Sequence, residues 1–273
     1  MRRPSVLTVY RWELRKLVAQ KRTYIGVGAA ALLPVIFVVV MAIQTGGPYD
    51  APLGHNLRRT GIALTLVVLT FASRFGAQLV TALVAGDIVA NEDAGNTLKM
   101  LLTRSATRAQ ILAGKTLASF TYVIALLLAV VVAGMISGVA AWGFNPVVGI
   151  TGTRFGSWHA FGLTFAALAA FAVPLLAIAA FGIFLSVATR NAAAAIVGTL
   201  VYELFMEAVV GLVHVRSLPH WVLSSQFDAW QSFFDAHIVW TPVGRALWVS
   251  GVYAVIPLAL AFWLFLRRDV AGE

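Results

Sequence analysis

The sequence predicts an all-α membrane protein with six transmembrane helices, an N-terminal amphipathic interface helix and a short cytoplasmic coupling helix. Of its 273 residues, 60% are hydrophobic and only 11% are charged. The mean hydropathy of +0.87 is far above that of a soluble domain of this size. Apolar runs of about 20 residues, the length that crosses a bilayer, recur along the whole chain. The Lys and Arg residues fall mostly on one side of those runs.

Six apolar runs fit as spans, at residues 23–43, 61–85, 112–141, 160–187, 192–213 and 246–266. The chain therefore divides into an N-terminal helix, 1–22, and a six-span transmembrane domain, 23–273. The first run lacks a small-residue cleavage site, so we interpret it as a retained span and not as a signal peptide. In the third span, Gly134 and Gly138 have the spacing that lets helices approach closely.

The distribution of Lys and Arg predicts the orientation of the chain. If the N-terminus is cytoplasmic, that side holds Arg2, Arg3, Arg11, Arg15, Lys16, Lys21, Arg22, Lys99, Arg104, Arg108, Lys115, Arg190, Arg267 and Arg268. The other side holds only Arg58, Arg59, Arg154, Arg216 and Arg245. We therefore predict a multi-pass protein of the cell (plasma) membrane with both termini in the cytoplasm. The net charge of +9 then follows from topology, and we expect no nucleic-acid partner.

The N-terminal segment is amphipathic at helical spacing. Its predicted apolar face consists of Leu7, Tyr10, Leu14, Leu17 and Val18, opposite Thr8, Arg11 and Arg15. A basic amphipathic helix just before a span is expected to lie in the membrane interface. Two roles stay open: an anchor alone, or an anchor that also contacts a cytoplasmic partner.

Residues 87–111 form a charged loop between the second and third spans. We predict a short helix in this loop, with an apolar face made of Leu98, Leu101 and Leu102. Thr107 and Gln110 have the spacing of a capping box at the start of the next helix. A surface helix joined to two spans can transmit the movement of a cytoplasmic protein to the membrane-spanning helices. The simpler interpretation is a helix that only lies in the membrane interface.

The loop and the start of the next helix carry a pattern made of Glu92, Gly95, Thr97, Leu98, Leu101, Leu102, Thr103, Arg108 and Lys115. This pattern is similar to the intracellular loop of the ABC-2 family of transporter permeases. The family usually has a proline where this chain has Ser105. The order of elements also resembles the family: an amphipathic N-terminal helix, six spans, cytoplasmic termini, and an outer loop that dips into the membrane. Here that loop is the aromatic stretch 214–245, for which we predict short interfacial or re-entrant helices and not a soluble loop.

This resemblance implies the transmembrane permease subunit of an ATP-driven ABC transporter, an exporter working by alternating access. The chain itself would not be an enzyme, because it has no phosphate-binding G-x-x-x-x-G-K-[ST] loop. Mg-ATP would be bound by an ABC ATPase subunit, two copies per complex. The other implied partners are a second permease, identical or homologous, and the lipid bilayer. The contact with the ATPase is expected at Glu92, Thr97, Leu98, Leu101, Leu102 and Arg104; the substrate is left open.

Three ionisable residues fall inside predicted spans, where burial of charge is costly and a partner is expected. Glu203 and Glu207 lie one turn apart in the fifth span, and Arg74 lies at a similar depth in the second. We predict a pair between Arg74 and Glu203, with either a structural role or a role in substrate contact or gating. The alternative function is a secondary transporter coupled to protons through Glu203 and Glu207, although we find no inverted repeat.

Metal and thiol chemistry find little support in the sequence. There is no cysteine, so disulfides and thiolate ligands are excluded. The histidines all fall on the predicted outer side, and their spacings match no ligand motif, so we predict no metal site. They are His55, His159, His214, His220 and His237. An intramembrane enzyme is also disfavoured, because a Glu pair on one helix does not supply convergent catalytic groups.

Overall fold

A computed structural model describes residues 5–44, 51–72, 76–94, 106–212 and 218–267. Its helices are α1 (Val6–Ala19), α2 (Lys21–Ile43), α3 (Gly61–Phe71), α4 (Ala77–Ala94), α5 (Arg108–Trp142), α6 (Ser157–Thr189), α7 (Ala192–Leu212) and α8 (Trp240–Arg267). Short 3-10 helices cover Gly54–Asn56, Leu218–His220 and Ser224–Phe234. A two-stranded antiparallel hairpin pairs β1 (Val147–Val148) with β2 (Arg154–Phe155).

The described part of the chain is all-α apart from this hairpin, and its composition is that of a multi-pass membrane protein. Five described helices, α2, α5, α6, α7 and α8, are long and apolar enough to cross a membrane. They coincide with five of the predicted spans. The second predicted span, 61–85, corresponds instead to α3 and the first part of α4. Helix α4 runs nine residues beyond the predicted end of that span.

Helix α6 is the centre of the bundle. It packs against α3, α4, α5, α7 and α8. Of its most apolar 18-residue segment, 61% is buried within the protein, compared with 11% for the corresponding segment of α2. Its small residues allow this, because alanines such as Ala177 and Ala180 let neighbouring helices approach from several sides. Helices α7 and α8 both pack on α6, and the exposed faces of both carry large apolar side chains.

The two ends of the bundle differ in which helix ends lie next to each other. At one end, called the base, α1 packs on the first turns of α5, and Arg108 of α5 donates a hydrogen bond to the Leu266 carbonyl near the end of α8. At the opposite end, called the far end, the start of α3 meets the end of α5, where Gly61 N–H donates to the Gly143 carbonyl. The capping box that starts α5 is confirmed, since Thr107 and Gln110 bond each other's backbone N–H.

The aromatic stretch near the far end is helical and largely buried. Within Ser224–Phe234, Trp230 is fully buried, with its ring 5.8 Å from Phe171 of α6 and 5.8 Å from Phe234. The segment packs on α6 and α8. The prediction that short helices occupy this stretch is confirmed, and large aromatic rings packed on two helices stabilise it in place.

The predicted close approach at Gly134 and Gly138 is confirmed, and it lies within the chain, between α5 and α3. A Cβ atom added to Gly138 would lie 2.8 Å from the Gly61 carbonyl oxygen. One added to Gly134 would lie 3.0 Å from Thr65. The two glycines therefore set the distance between α3 and α5.

We expect Gly138→Leu to destabilise the protein by about 2 kcal/mol or more, because the new side chain collides with α3 backbone. The measurement is the midpoint of denaturation of the purified protein in detergent. The matched control is Gly162→Leu on α6, where an added Cβ meets nothing within 4 Å. An equal loss of stability in both variants would contradict the packing account.

Candidate functional site

The candidate site lies at the base, where α4 leads into the predicted coupling loop and α5 leads out of it. Of that loop, residues 87–94 and 106–111 are described. Five of the predicted ATPase contacts lie outside the described residues: Thr97, Leu98, Leu101, Leu102 and Arg104. Glu92 is described, so the structure reports how the loop is attached to the bundle.

Lys115 of α5 is the centre of this attachment. Its side chain is 0% exposed, and its ammonium lies 3.1 Å from Glu13 Oε2 of α1 and 2.7 Å from Glu92 Oε2 of α4. It also donates a 3.1 Å hydrogen bond to the Ile88 carbonyl. The ammonium thus has hydrogen bonds to Glu13 and to the Ile88 carbonyl and an ion pair with Glu92, so the buried charge is paired with two carboxylates.

Lys16 of α1 closes the arrangement into a ring of two cations and two anions, called the ion cluster (Glu13, Lys16, Glu92 and Lys115). Its ammonium lies 3.0 Å from Glu13 Oε1 and 2.9 Å from Glu92 Oε1. Each glutamate therefore uses one oxygen for each lysine. The cluster is neutral overall, and it joins α1, α4 and α5.

The surroundings favour the charged forms of Glu92 and Lys16. Burial by itself raises the pKa of Glu92, but attraction to Lys115 and hydrogen bonds from both lysines hold that pKa below its ordinary 4.5. Partial burial lowers the pKa of Lys16, yet hydrogen bonding and attraction to Glu92 and Glu13 hold it above its ordinary 10.5. At neutral pH both residues are therefore charged.

The same turn of α4 is held from two more directions. Asp87 forms an ion pair with Arg22 of α2. The hydroxyl of Ser186 on α6 accepts hydrogen bonds from the backbone N–H of Val89 (3.3 Å) and Ala90 (2.9 Å). The last turns of α4 are thus fixed to α1, α2, α5 and α6 by polar contacts, most of them buried.

Helix α7 also packs closely against α4 near the base. A Cβ on Gly86 of α4 would lie 2.9 Å from the backbone nitrogen of Ile196 on α7. One on Gly114 of α5 would lie 2.7 Å from Val9 Cγ1 of α1. The glycines therefore let α7 sit against α4, and α1 against α5 beside Lys115.

The sequence prediction for α1 missed this role. The buried residues of the helix are Val9, Glu13 and Leu17, whereas Leu7 and Val18 of the predicted apolar face are more than half exposed. That prediction assigned an apolar face to the membrane interface and did not address the face that packs on the protein, so it did not single out Glu13. The signal that could have found Glu13 is its spacing of four from Val9 and from Leu17.

The predicted pair between Arg74 and Glu203 stays a prediction, because Arg74 lies outside the described residues. Glu203 on α7 is 4% exposed, and neither carboxylate oxygen has a hydrogen-bond partner among the residues described. Glu207, one turn further on, is exposed. The two glutamates of one helix therefore differ in environment.

A model of a protein family described as "Protein of unknown function (DUF2705)" matches residues 29–271. The match covers most of the chain, which therefore belongs to this family. No match was found among curated proteins.

We expect Lys115→Met to lower the free energy of unfolding by about 3 kcal/mol, because it leaves Glu13 and Glu92 buried with a single cation. The measurement is a denaturation midpoint in detergent. The control Lys21→Met removes an exposed lysine and should change stability by less than about 0.5 kcal/mol. A Lys115 variant as stable as the Lys21 variant would refute the role of the cluster.

We expect the stability of the protein to fall on moderate acidification sooner than on moderate alkalinisation, because of the ion cluster at the base of the bundle. Because the folded-state pKa of Glu92 is depressed, its contribution is complete above about pH 4.5 and is lost as the pH falls through the folded value. The contribution of Lys16, whose pKa is raised, persists until the pH exceeds about 10.5. The measurement is the denaturation midpoint as a function of pH. We expect the midpoint of the wild type to fall in acid, and that of the Glu92→Gln variant to fall less. An identical acid loss in wild type and variant would contradict this assignment.

Proposed function

We propose that this DUF2705 protein is the transmembrane permease subunit of an ATP-driven transporter. In this proposal its loop between α4 and α5 receives the movement of a separate ATPase. The observation that carries the proposal is the ion cluster, which lies at both attachments of that loop. Glu92 comes three residues before its undescribed part, and Lys115 comes two turns into α5.

Mechanically, such an attachment suits a device that transmits force. A helix that is pushed at its end moves its neighbours only if polar or packed contacts resist sliding. Buried ion pairs resist it because separating them would strand unpaired charge in the protein interior. A displacement of the loop would therefore carry α1, α4 and α5 together.

The proposed topology has six spans and both termini in the cytoplasm, with α3 and α4 together forming the second span. In this arrangement α1 lies in the cytoplasmic interface, where its exposed Arg11 and Arg15 face lipid headgroups. The base would be the cytoplasmic end, where an ATPase can reach the loop. Two permeases and two ATPases would form the complex, and ATP binding would switch the spans between inward-facing and outward-facing states.

The surface of the bundle favours a cargo with an apolar part. A groove of about 590 Å³ lies between α6, α7 and α8, and aromatic rings form much of its wall. They include Phe181, Tyr202, Trp221, Trp248 and Tyr253. Pockets of this kind bind apolar bodies through area burial and aromatic contact, with the tyrosine hydroxyls as polar contacts.

A proton-coupled secondary transporter is the second candidate, and the observation that favours it is Glu203. A carboxyl group that is 4% exposed in an apolar helix, without a hydrogen-bond partner among the described residues, is a candidate proton carrier. The two functions differ in their energy source. Transport driven by a proton gradient alone, in the absence of any ATPase, would support the second.

We expect the detergent-extracted protein to co-purify with a nucleotide-binding subunit, and we expect Leu101→Asp with Leu102→Asp to release it. Charged residues on the proposed apolar contact face would have to be desolvated on docking, which costs binding energy. Leu101→Met with Leu102→Met is the matched control, since it preserves volume and apolarity. Retention of the ATPase by the Asp variant, or its absence from the wild-type complex, would count against the permease function. An unchanged denaturation midpoint shows that the Asp variant is folded.

A further inference from the structure

A second polar feature lies at the far end of the bundle, in the region where α3 begins and α6 begins. A pocket of about 410 Å³ is lined there by Asn56, Arg59, Pro146, Val148, Arg154, Phe155 and Gly156. Two of these residues are arginines, and none is acidic. Neither guanidinium has an ion pair or hydrogen bond with any residue in the described ranges, and both arginines are exposed.

The backbone under the two arginines is held by a frame of hydrogen bonds. Asn56 is 1% exposed, and its side chain donates to the Val148 carbonyl (2.7 Å) and accepts from the Val148 N–H (3.0 Å). Val148 is the partner of Arg154 in the hairpin. The loop that carries Asn56 and Arg59 is therefore fixed to the strand pair that carries Arg154.

A second set of bonds fixes Arg59 from the other side. Asn145 Nδ2 donates to the Arg59 carbonyl at 2.8 Å, and the hydroxyl of Thr60, which is fully buried, donates to the Asn145 carbonyl at 2.8 Å. Two like charges are thus placed at one pocket by a frame of hydrogen bonds in which Asn56 and Thr60 are buried. Because like charges repel, this arrangement is most stable when an anion lies between them.

The chemistry of the pocket selects the class of anion. Each guanidinium presents a planar fork of N–H donors that matches two oxygens of one anion. A phosphate group has enough oxygens and charge for two forks, whereas a carboxylate is satisfied by one. The backbone N–H groups at the start of α6 add to the positive potential, since Gly156 is the N-cap and supplies no side chain to cap them.

The position of the pocket matches the level of lipid headgroups. Trp142 ends α5 and Trp158 lies in the first turn of α6, with 79% of Trp158 exposed. Tryptophan is enriched where a membrane meets water. We propose that Arg59 and Arg154 form a binding site for a phosphate group at the far membrane surface, carried either by a lipid headgroup or by free phosphate. This proposal holds whether transport is driven by ATP or by a proton gradient.

The test is titration of the purified full-length protein with short-chain phosphatidylglycerol, with bound lipid counted by native mass spectrometry. We expect Arg59→Gln with Arg154→Gln to weaken binding about tenfold or more, and each single variant to weaken it less. Arg245→Gln removes a positive charge from the start of α8, outside the pocket, and should leave affinity within about twofold. Arg154→Lys keeps the charge and loses the fork, so it should bind with intermediate affinity.

Two further arms identify the source of the phosphate. A short-chain diacylglycerol without phosphate should not bind in an arginine-dependent way. Competition by inorganic phosphate would assign the site to free phosphate, and lack of competition would assign it to the lipid headgroup; both results support a phosphate site. Wild-type affinity in the double variant, or an equal loss in Arg245→Gln, would overturn it. Because both side chains are exposed and have no described partner, the variants are expected to fold.

Discussion

The buried ammonium of Lys115 is the interaction on which the base of the molecule depends. A charge in this position is tolerated only because three oxygens from two other helices surround it. That requirement fixes the rotation of α1, since only one face of that helix can present Glu13 to α5. It also fixes the end of α4, since Glu92 and the Ile88 carbonyl must reach the same nitrogen. The helices of the base are therefore oriented by one group that cannot be left unpaired.

The far end is held by other interactions than the base. There, neutral hydrogen bonds from Asn56, Thr60 and Asn145 hold loops and a hairpin, and aromatic rings fill the space beside α6. Neutral contacts of this kind are individually weaker than a buried ion pair but depend little on pH. The ion cluster at the base thus depends on ionisation, whereas the described hydrogen bonds of Asn56, Thr60 and Asn145 at the far end join neutral groups. The proposed function places the moving loop at the base and the fixed surface at the far end.

Much of this fold could be predicted from the sequence, because apolar run length and charge bias report directly on membrane crossing. The helices at residues 21–43, 108–142, 157–189, 192–212 and 240–267, the capping box at Thr107 and the close approach at Gly138 all follow from local pattern. The ion cluster could not be predicted, because Glu13 and Lys115 are 102 residues apart and no local rule pairs them. The same holds for the pocket between Arg59 and Arg154, which exists only once the hairpin meets the loop before α3. The Arg74–Glu203 pair and the ATPase contacts stay predictions.

The most direct test of the account is hydrogen exchange of the backbone amides in α1, at the end of α4 and at the start of α5. It compares the wild type with Lys115→Met and Lys21→Met. If the ion cluster makes these segments one cooperative unit, exchange should accelerate together in all three segments in the Lys115 variant and in none of them in the Lys21 variant. Faster exchange confined to α5, with α1 and α4 unchanged, would contradict the claim that the cluster joins the ends of the loop to the rest of the bundle.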